Sequence, residues 1–241
     1  NRFEFKRIPN QMSQIQKMSL RKFKEWSKML NQPVVFVPQS QNPIKIHGIL
    51  EDQYKKGQKL EFFLNSGAAK LPKEKTNAYL CSDKEHIYIL AQCQSQYPNQ
   101  LVANVKERDK GVWKDETLEI YLNPNGSRSS DYYHIIVNSI GVLEDSKRGS
   151  KSNWNPNIEV RCKVDKNSWV MEMKIPFTEF NLNKFESKPQ WSFNMTRTAV
   201  NPLVVEETEE SAWSPTQTLS YHVPEQFGYI WFEVFSIDKF K

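Results

Sequence analysis

The chain has 241 residues, 38% of them hydrophobic and 25% charged, with a formal net charge of +5. That composition fits one large β domain, or one domain plus an extension, and excludes a disordered chain. Residues 1–30 carry eight Lys and Arg against Glu4 and Glu25, which leaves 25 basic against 26 acidic residues in the remainder. So neutral a body lacks the basic face of a nucleic-acid binder.

In chain order, Met12, Ile15, Met18, Phe23, Trp26 and Leu30 recur at helical spacing. They predict an amphipathic helix over 10–31, ended by Asn31-Gln32-Pro33. The apolar run Pro33–Pro38 predicts a short strand. We assign residues 1–43 to an N-terminal extension and 44–241 to the main domain. From there the pattern is short strands and turns. Segments 77–82 and 86–94 predict a hairpin, with Ile87, Ile89, Ala91 and Cys93 on one face. Leu118, Ile120 and Leu122 alternate before the reversal Asn123-Pro124-Asn125-Gly126, and Tyr132–Asn138 follows as a strand. In 158–164, Ile158, Val160, Cys162 and Val164 point one way and Glu159, Arg161 and Lys163 the other, so one face is dry and one wet. Trp169–Pro176, Trp191–Met195 and Tyr229–Phe235 complete the set. Residues 201–226 show little periodicity and read as a long loop, a place where function often sits. The predicted fold is an all-β, antiparallel two-sheet sandwich of immunoglobulin or jelly-roll type with an N-terminal helical extension.

Catalytic signatures are missing: no GxSxG, GxGxxG, P-loop or HExxH occurs. Asp115 and Glu119 share strand parity but would lie about 13 Å apart, too far for a glycosidase pair on one strand. His47, His86, His134 and His222 are isolated. Cys81, Cys93 and Cys162 form no metal motif, and one bridge plus a free thiol or three reduced thiols fit equally. No run of 18 apolar residues exists to span a membrane. The chain starts at Asn1 rather than Met, as a processed form or an excised fragment would.

An ordered set of motifs resembles the family 9 carbohydrate-binding modules: Ile46-His47-Gly48 with Glu51 and Tyr54; the 77–94 hairpin; Val112–Leu122, in the form Trp-x-x-Asp-x-x-Glu; Tyr133–Asn138 with Gly141; Trp169–Phe177 with Glu172; Trp191–Asn194 with Arg197; Trp213-Ser214-Pro215; and Pro224–Gly228. The resemblance covers about 44–234. It implies a non-catalytic module that holds a poly- or oligosaccharide between two aromatic platforms, secreted or periplasmic and associated with a glycoside hydrolase in carbohydrate catabolism. Trp113 matches one platform. Tyr221 stands where sugar-binding members have the second, a Trp, while Trp213 is expected to pack. Glu119 and Asn138 match positions that bond sugar hydroxyls, and Asp115 of the same stretch joins the ligand-binding set. A family Arg two residues before that Asn is Ile136 here. The family's structural calcium points to Glu51 and Asp52, few acids for an ion that takes six to eight oxygens. Two other readings stand beside this one: a haem-binding electron-transfer relative using Met171, Met173 or His134 as axial ligands, and a structural or adhesion domain without a small ligand.

Overall fold

A computed structural model describes residues 32–61, 63–65, 70–149, 153–180, 182, 189–204 and 207–233. The helix predicted over 10–31 lies outside these residues.

The described chain forms β1 (Val34–Val37), α1 (Asp52–Lys55, one helical turn), β2 (Lys59–Leu60), β3 (Leu64–Asn65), β4 (Thr76–Ser82), β5 (His86–Gln94), β6 (Thr117–Asn123), β7 (Tyr133–Asn138), β8 (Leu143–Lys147), β9 (Glu159–Asp165), β10 (Ser168–Pro176), β11 (Gln190–Val200), β12 (Thr208–Ala212) and β13 (Gly228–Phe232). One sheet runs β1-β13-β11-β6-β7-β8, with β12 on the far half of β11 and β3 on β12. The other runs β2-β4-β5-β10-β9. All strand pairs are antiparallel except β1 with β13. The strand Val34–Val37 therefore belongs to the sandwich, and not to the extension in which the boundary at 43/44 places it.

Alternation explains the two layers. Leu118, Ile120 and Leu122 of β6, with Tyr133, Ile135 and Val137 of β7, meet Ile87, Ile89, Ala91 and Cys93 of β5 and Met171 and Met173 of β10 in one core. The predicted dry face of β9 holds for Ile158, Val160 and Cys162, which pack against that core, but Val164 is exposed. As the edge strand of its sheet, β9 runs past the cover of the opposite layer.

Both outer faces are also covered in part. On the β5–β10 sheet, Ile44, Ile46 and Tyr54 from the 44–54 segment pack on Tyr88, Leu90 and Val170. Glu172 of β10 fixes that segment. Its buried carboxylate accepts the His47 and Gly48 amides at 2.8 and 2.7 Å and the Tyr54 hydroxyl at 2.9 Å. Gly48 has φ +74°, a conformation that favours glycine. On the other sheet, Tyr221 and Phe227 from the 213–227 loop pack on Tyr121, Tyr132 and Ala212.

The segment read as a long loop, 201–226, contains β12. Its sequence Thr-Glu-Glu-Ser-Ala has no hydrophobic alternation. It is a strand because β11 extends seven residues beyond the reach of β13, and the last five of them, Thr196–Val200, offer an unpaired ladder that β12 takes up. Glu209 closes the end, accepting the Lys73 and Glu74 amides at 2.9 and 2.8 Å.

Candidate functional site

The site candidates gather on the outer face of the larger sheet. Cross-strand register sets Glu144, Ile136, Glu119, Thr196 and Ala212 in one row from β8 to β12. The neighbouring row reads Asn138, Thr117, Thr198 and Glu210. On the other side lie His134, Tyr121 and Asn194. These positions alternate with the core residues and so face away from the sandwich interior.

Trp113 sits on the 3-10 turn Val112–Lys114 just before β6. Gly111 enters this turn with φ +83°, and the Val112 amide donates to Glu144 Oε2 at 2.7 Å. That bond ties the turn to the β8 end of the first row. The indole stays 55% exposed, with Lys114 Nζ 5.3 Å from its centre. A Trp this open lies ready for a flat apolar ligand face.

Tyr221 is in a different state. It is only 8% exposed; its ring belongs to the cluster with Tyr121 and Phe227, and its hydroxyl donates to the Arg197 carbonyl at 3.2 Å. The pair expected to form two open walls is therefore one open ring and one packed ring. The physical reason is the phenol: bonded to a strand carbonyl, it draws the ring down onto the sheet. Tyr221 lies over the β11–β12 end of the row that the Trp113 turn meets at β8. From β8 to β11 is three strand spacings, about 14 Å, and Glu119 sits between.

Glu119 is 8% exposed. Its Oε2 accepts the Tyr121 hydroxyl at 2.6 Å and His134 Nε2 at 2.8 Å. Burial acts to raise its pKa, but the bonds from His134 and Tyr121 outweigh it and hold the carboxyl below the ordinary glutamate value. Its Oε1 has no hydrogen bond among the described residues. Two buried hydroxyls beside it, Thr117 Oγ1 and Thr196 Oγ1, also lack a partner there.

Asn138 and Asp115 are occupied within the protein. Asn138 Nδ2 donates to Asp115 Oδ2 at 2.9 Å and to the Val105 carbonyl at 3.0 Å. Its Oδ1 accepts the Ile140 and Val142 amides. Asp115 also accepts the Asn104 and Val105 amides at 2.9 and 3.0 Å. Both side chains are buried, and what they hold is the 104–105 loop and the β7–β8 turn. Other motif residues are likewise spent on architecture. Glu116 takes the Trp169 indole at 3.0 Å and Arg197 Nη2 at 2.7 Å. Asn194 holds Ser214 through both its amide atoms. Trp213 packs against Phe193, as expected.

His134 was not among the expected ligand-binding residues, although its parity with Ile136 and Asn138 was a signal. Its Nε2 pairs with Glu119 Oε2 from the neighbouring strand. His222 joins this group, accepting the Tyr132 hydroxyl on Nδ1 or donating to it at 2.7 Å, with its ring edge-on to His134 at 5.1 Å.

The calcium pair does not fit an ion. Glu51 Oε1 bonds His47 Nε2 at 2.8 Å, while the Asp52 carboxylate is 89% exposed and paired with Lys55. Among the described residues no group of three His, Cys, Asp or Glu comes together to hold a metal. Nor does a haem axial set form among them: Met171 and Met173 lie in the core and His134 is tied to Glu119. Cys81, Cys93 and Cys162 are unpaired thiols, each pushed up to about 12 by burial. No described helix is long and apolar enough to cross a membrane.

Solved structures share this fold. A family 9 carbohydrate-binding module from Caldicellulosiruptor kristjanssonii in complex with glucose superposes with TM-score 0.59 at 15% identity, over 85% of this chain and 97% of that one. The cellotriose complex of a family 9 module from the same organism gives 0.58 at 14%, over 86% and 97%. A putative carbohydrate-binding protein from Bacteroides uniformis gives 0.63 at 14%, over 84% and 100%. No curated protein sequence matches the chain. The family described as carbohydrate family 9 binding domain-like matches residues 46–233. The chain belongs to this family, one of sugar-binding rather than catalytic domains.

Proposed function

We propose that the protein binds a poly- or oligosaccharide on the outer face of its larger sheet, using one aromatic platform. Trp113 stacks on the apolar face of a pyranose. Glu119 Oε1 accepts sugar hydroxyls, and the Thr117 and Thr196 hydroxyls supply further polar partners on the floor. Tyr221 bounds the site from the opposite side with the edge of a packed ring. The supporting observation is the pairing of an exposed Trp with a buried carboxylate that keeps one oxygen free, on a single face. The relatives solved with glucose and cellotriose point the same way.

The chemistry is a division of labour. A sugar ring has an apolar CH face and a rim of hydroxyls. The indole desolvates the face, and an ionised carboxylate accepts from the rim with charge-assisted hydrogen bonds. His134 and Tyr121 keep that carboxylate ionised and aimed. Association with a glycoside hydrolase, a role in carbohydrate catabolism and a secreted or periplasmic location are parts of the same proposal, since polymeric sugars are met outside the cell membrane. Glycan-array binding by the wild type and Glu119→Gln tests the reading. Glycans bound by the wild type and lost or weakened in Glu119→Gln support it. An empty array, or unchanged binding in the variant, removes it.

A further inference from the structure

We propose that a separate cleft, at the end of the sandwich that carries Trp113, receives the further units of a neutral oligosaccharide and turns uronic acids away. The inference rests on the proposed sugar site and extends it. The cleft has a volume of about 620 Å³, within the roughly 300–1,000 Å³ typical of small-ligand sites.

Its base is a neutralised charge pair. Arg197 donates to Glu116 Oε1 through Nε at 3.0 Å and Nη2 at 2.7 Å, and to the Gln94 carbonyl at 2.8 Å. Both side chains are buried, so neither presents a net charge to the cleft. Gln96, Tyr97 and Leu219, the last 83% exposed, line it, and the Asn201 amide is held by Glu207 Oε2 at 2.6 Å. This mix of planar ring, apolar side chain, amides and carboxylates is what a polyhydroxylated chain pairs with.

The charge of the lining sets the class of sugar. Glu74, Glu207, Glu209 and Glu210 line the cleft against Lys73 and the already paired Arg197. Carboxylates accept from neutral hydroxyls and repel a uronate held a few ångströms away. The cleft also continues the proposed site. Glu210 lies two strands from Glu119, in the adjoining row. Leu219 precedes Tyr221 by two residues in the same loop. From the β8 end, where the Trp113 turn is tied, to Glu210 on β12 is four strand spacings, about 19 Å, so a chain whose first unit rests on Trp113 meets the trough with its later units, past Glu119.

Calorimetry with glucose, cellotriose and a cellotriose oxidised to the uronate at C6 tests this, using the wild type, Trp113→Ala and the double variant Gln96→Ala/Leu219→Ala. Leu219 is so exposed that its removal leaves the fold intact, and thermal melting checks this for the double variant. The expected result is that cellotriose binds about fivefold or more tighter than glucose to the wild type, the worth of one or two hydrogen bonds with an apolar contact. The double variant loses that preference with glucose binding unchanged, and the uronate binds worse than cellotriose. The inference is overturned if the double variant keeps the full preference, or if the uronate binds as well as cellotriose. In that case Trp113→Ala still weakens all three sugars and the proposed function stands. If no sugar binds the wild type, or Trp113→Ala changes nothing, the proposed function falls and the cleft assignment with it.

Discussion

Replacing Trp113 by Ala separates binding from stability. The indole is 55% exposed, and a Trp side chain carries up to about 250 Å². About 140 Å² is therefore open to solvent. One stacking face is about half of that, about 70 Å². At about 25 cal/mol per Å² its loss weakens sugar binding by about 1.7 kcal/mol, close to twentyfold in Kd. Stability should move by less than about 0.5 kcal/mol, because an exposed side chain leaves no cavity. Val112 anchors the turn through its amide to Glu144 and is untouched. Calorimetric titration of a bound glycan, beside a urea melt of both proteins, measures the two quantities. An unchanged Kd would refute the platform. A loss of several kcal/mol of stability would show that the ring is structural after all.

Glu119→Gln removes the charge while keeping the shape, so it should cost more than tenfold in sugar affinity. Because the Glu119 pKa lies below the ordinary value, wild-type binding should persist through pH 4.5 in a pH series of titrations and fail only under stronger acid. Asp83 accepts the Glu85 and His86 amides and the Tyr88 hydroxyl. Burial opposes its charge, but those bonds and the one from His86 prevail and set its pKa at about 2. A depressed carboxylate contributes stability that is complete above about 3.8 and lost as pH falls through about 2, roughly 2 kcal/mol in all. Urea melts of the wild type and Asp83→Asn should differ above pH 4 and converge near pH 2. For the buried Glu116–Arg197 pair, either single change, Glu116→Gln or Arg197→Met, should cost about 3–5 kcal/mol by stranding a charge. The double variant should cost much less than the sum, and an additive double-mutant cycle would count against the pair.

Much of the fold was legible in the chain, for an identifiable reason. Where a strand has one face in the core, its residues must alternate, and Leu118-x-Ile120-x-Leu122 or Ile87-x-Ile89-x-Ala91 records that directly. β12 left no such record: ladder bonds to β11 and carboxylate caps on loop amides make it a strand, and neither writes a hydrophobic period. The motifs behaved similarly. Trp169, Glu172, Asn194, Arg197, Asp115 and Asn138 are set in order along the sequence because each closes one buried network, so they report the architecture more than the ligand.

By itself the sequence determined the sandwich class, the faces of its central strands, the packing role of Trp213 and the exposed place of an aromatic before β6. Only the tertiary structure decided that Tyr221 is packed down by a bond to the Arg197 carbonyl, that Asn138 and Asp115 satisfy each other, and that His134 bonds Glu119. Those outcomes depend on which groups from distant strands come within about 3 Å. Periodicity along one strand carries no information about the partner that completes a hydrogen bond from another.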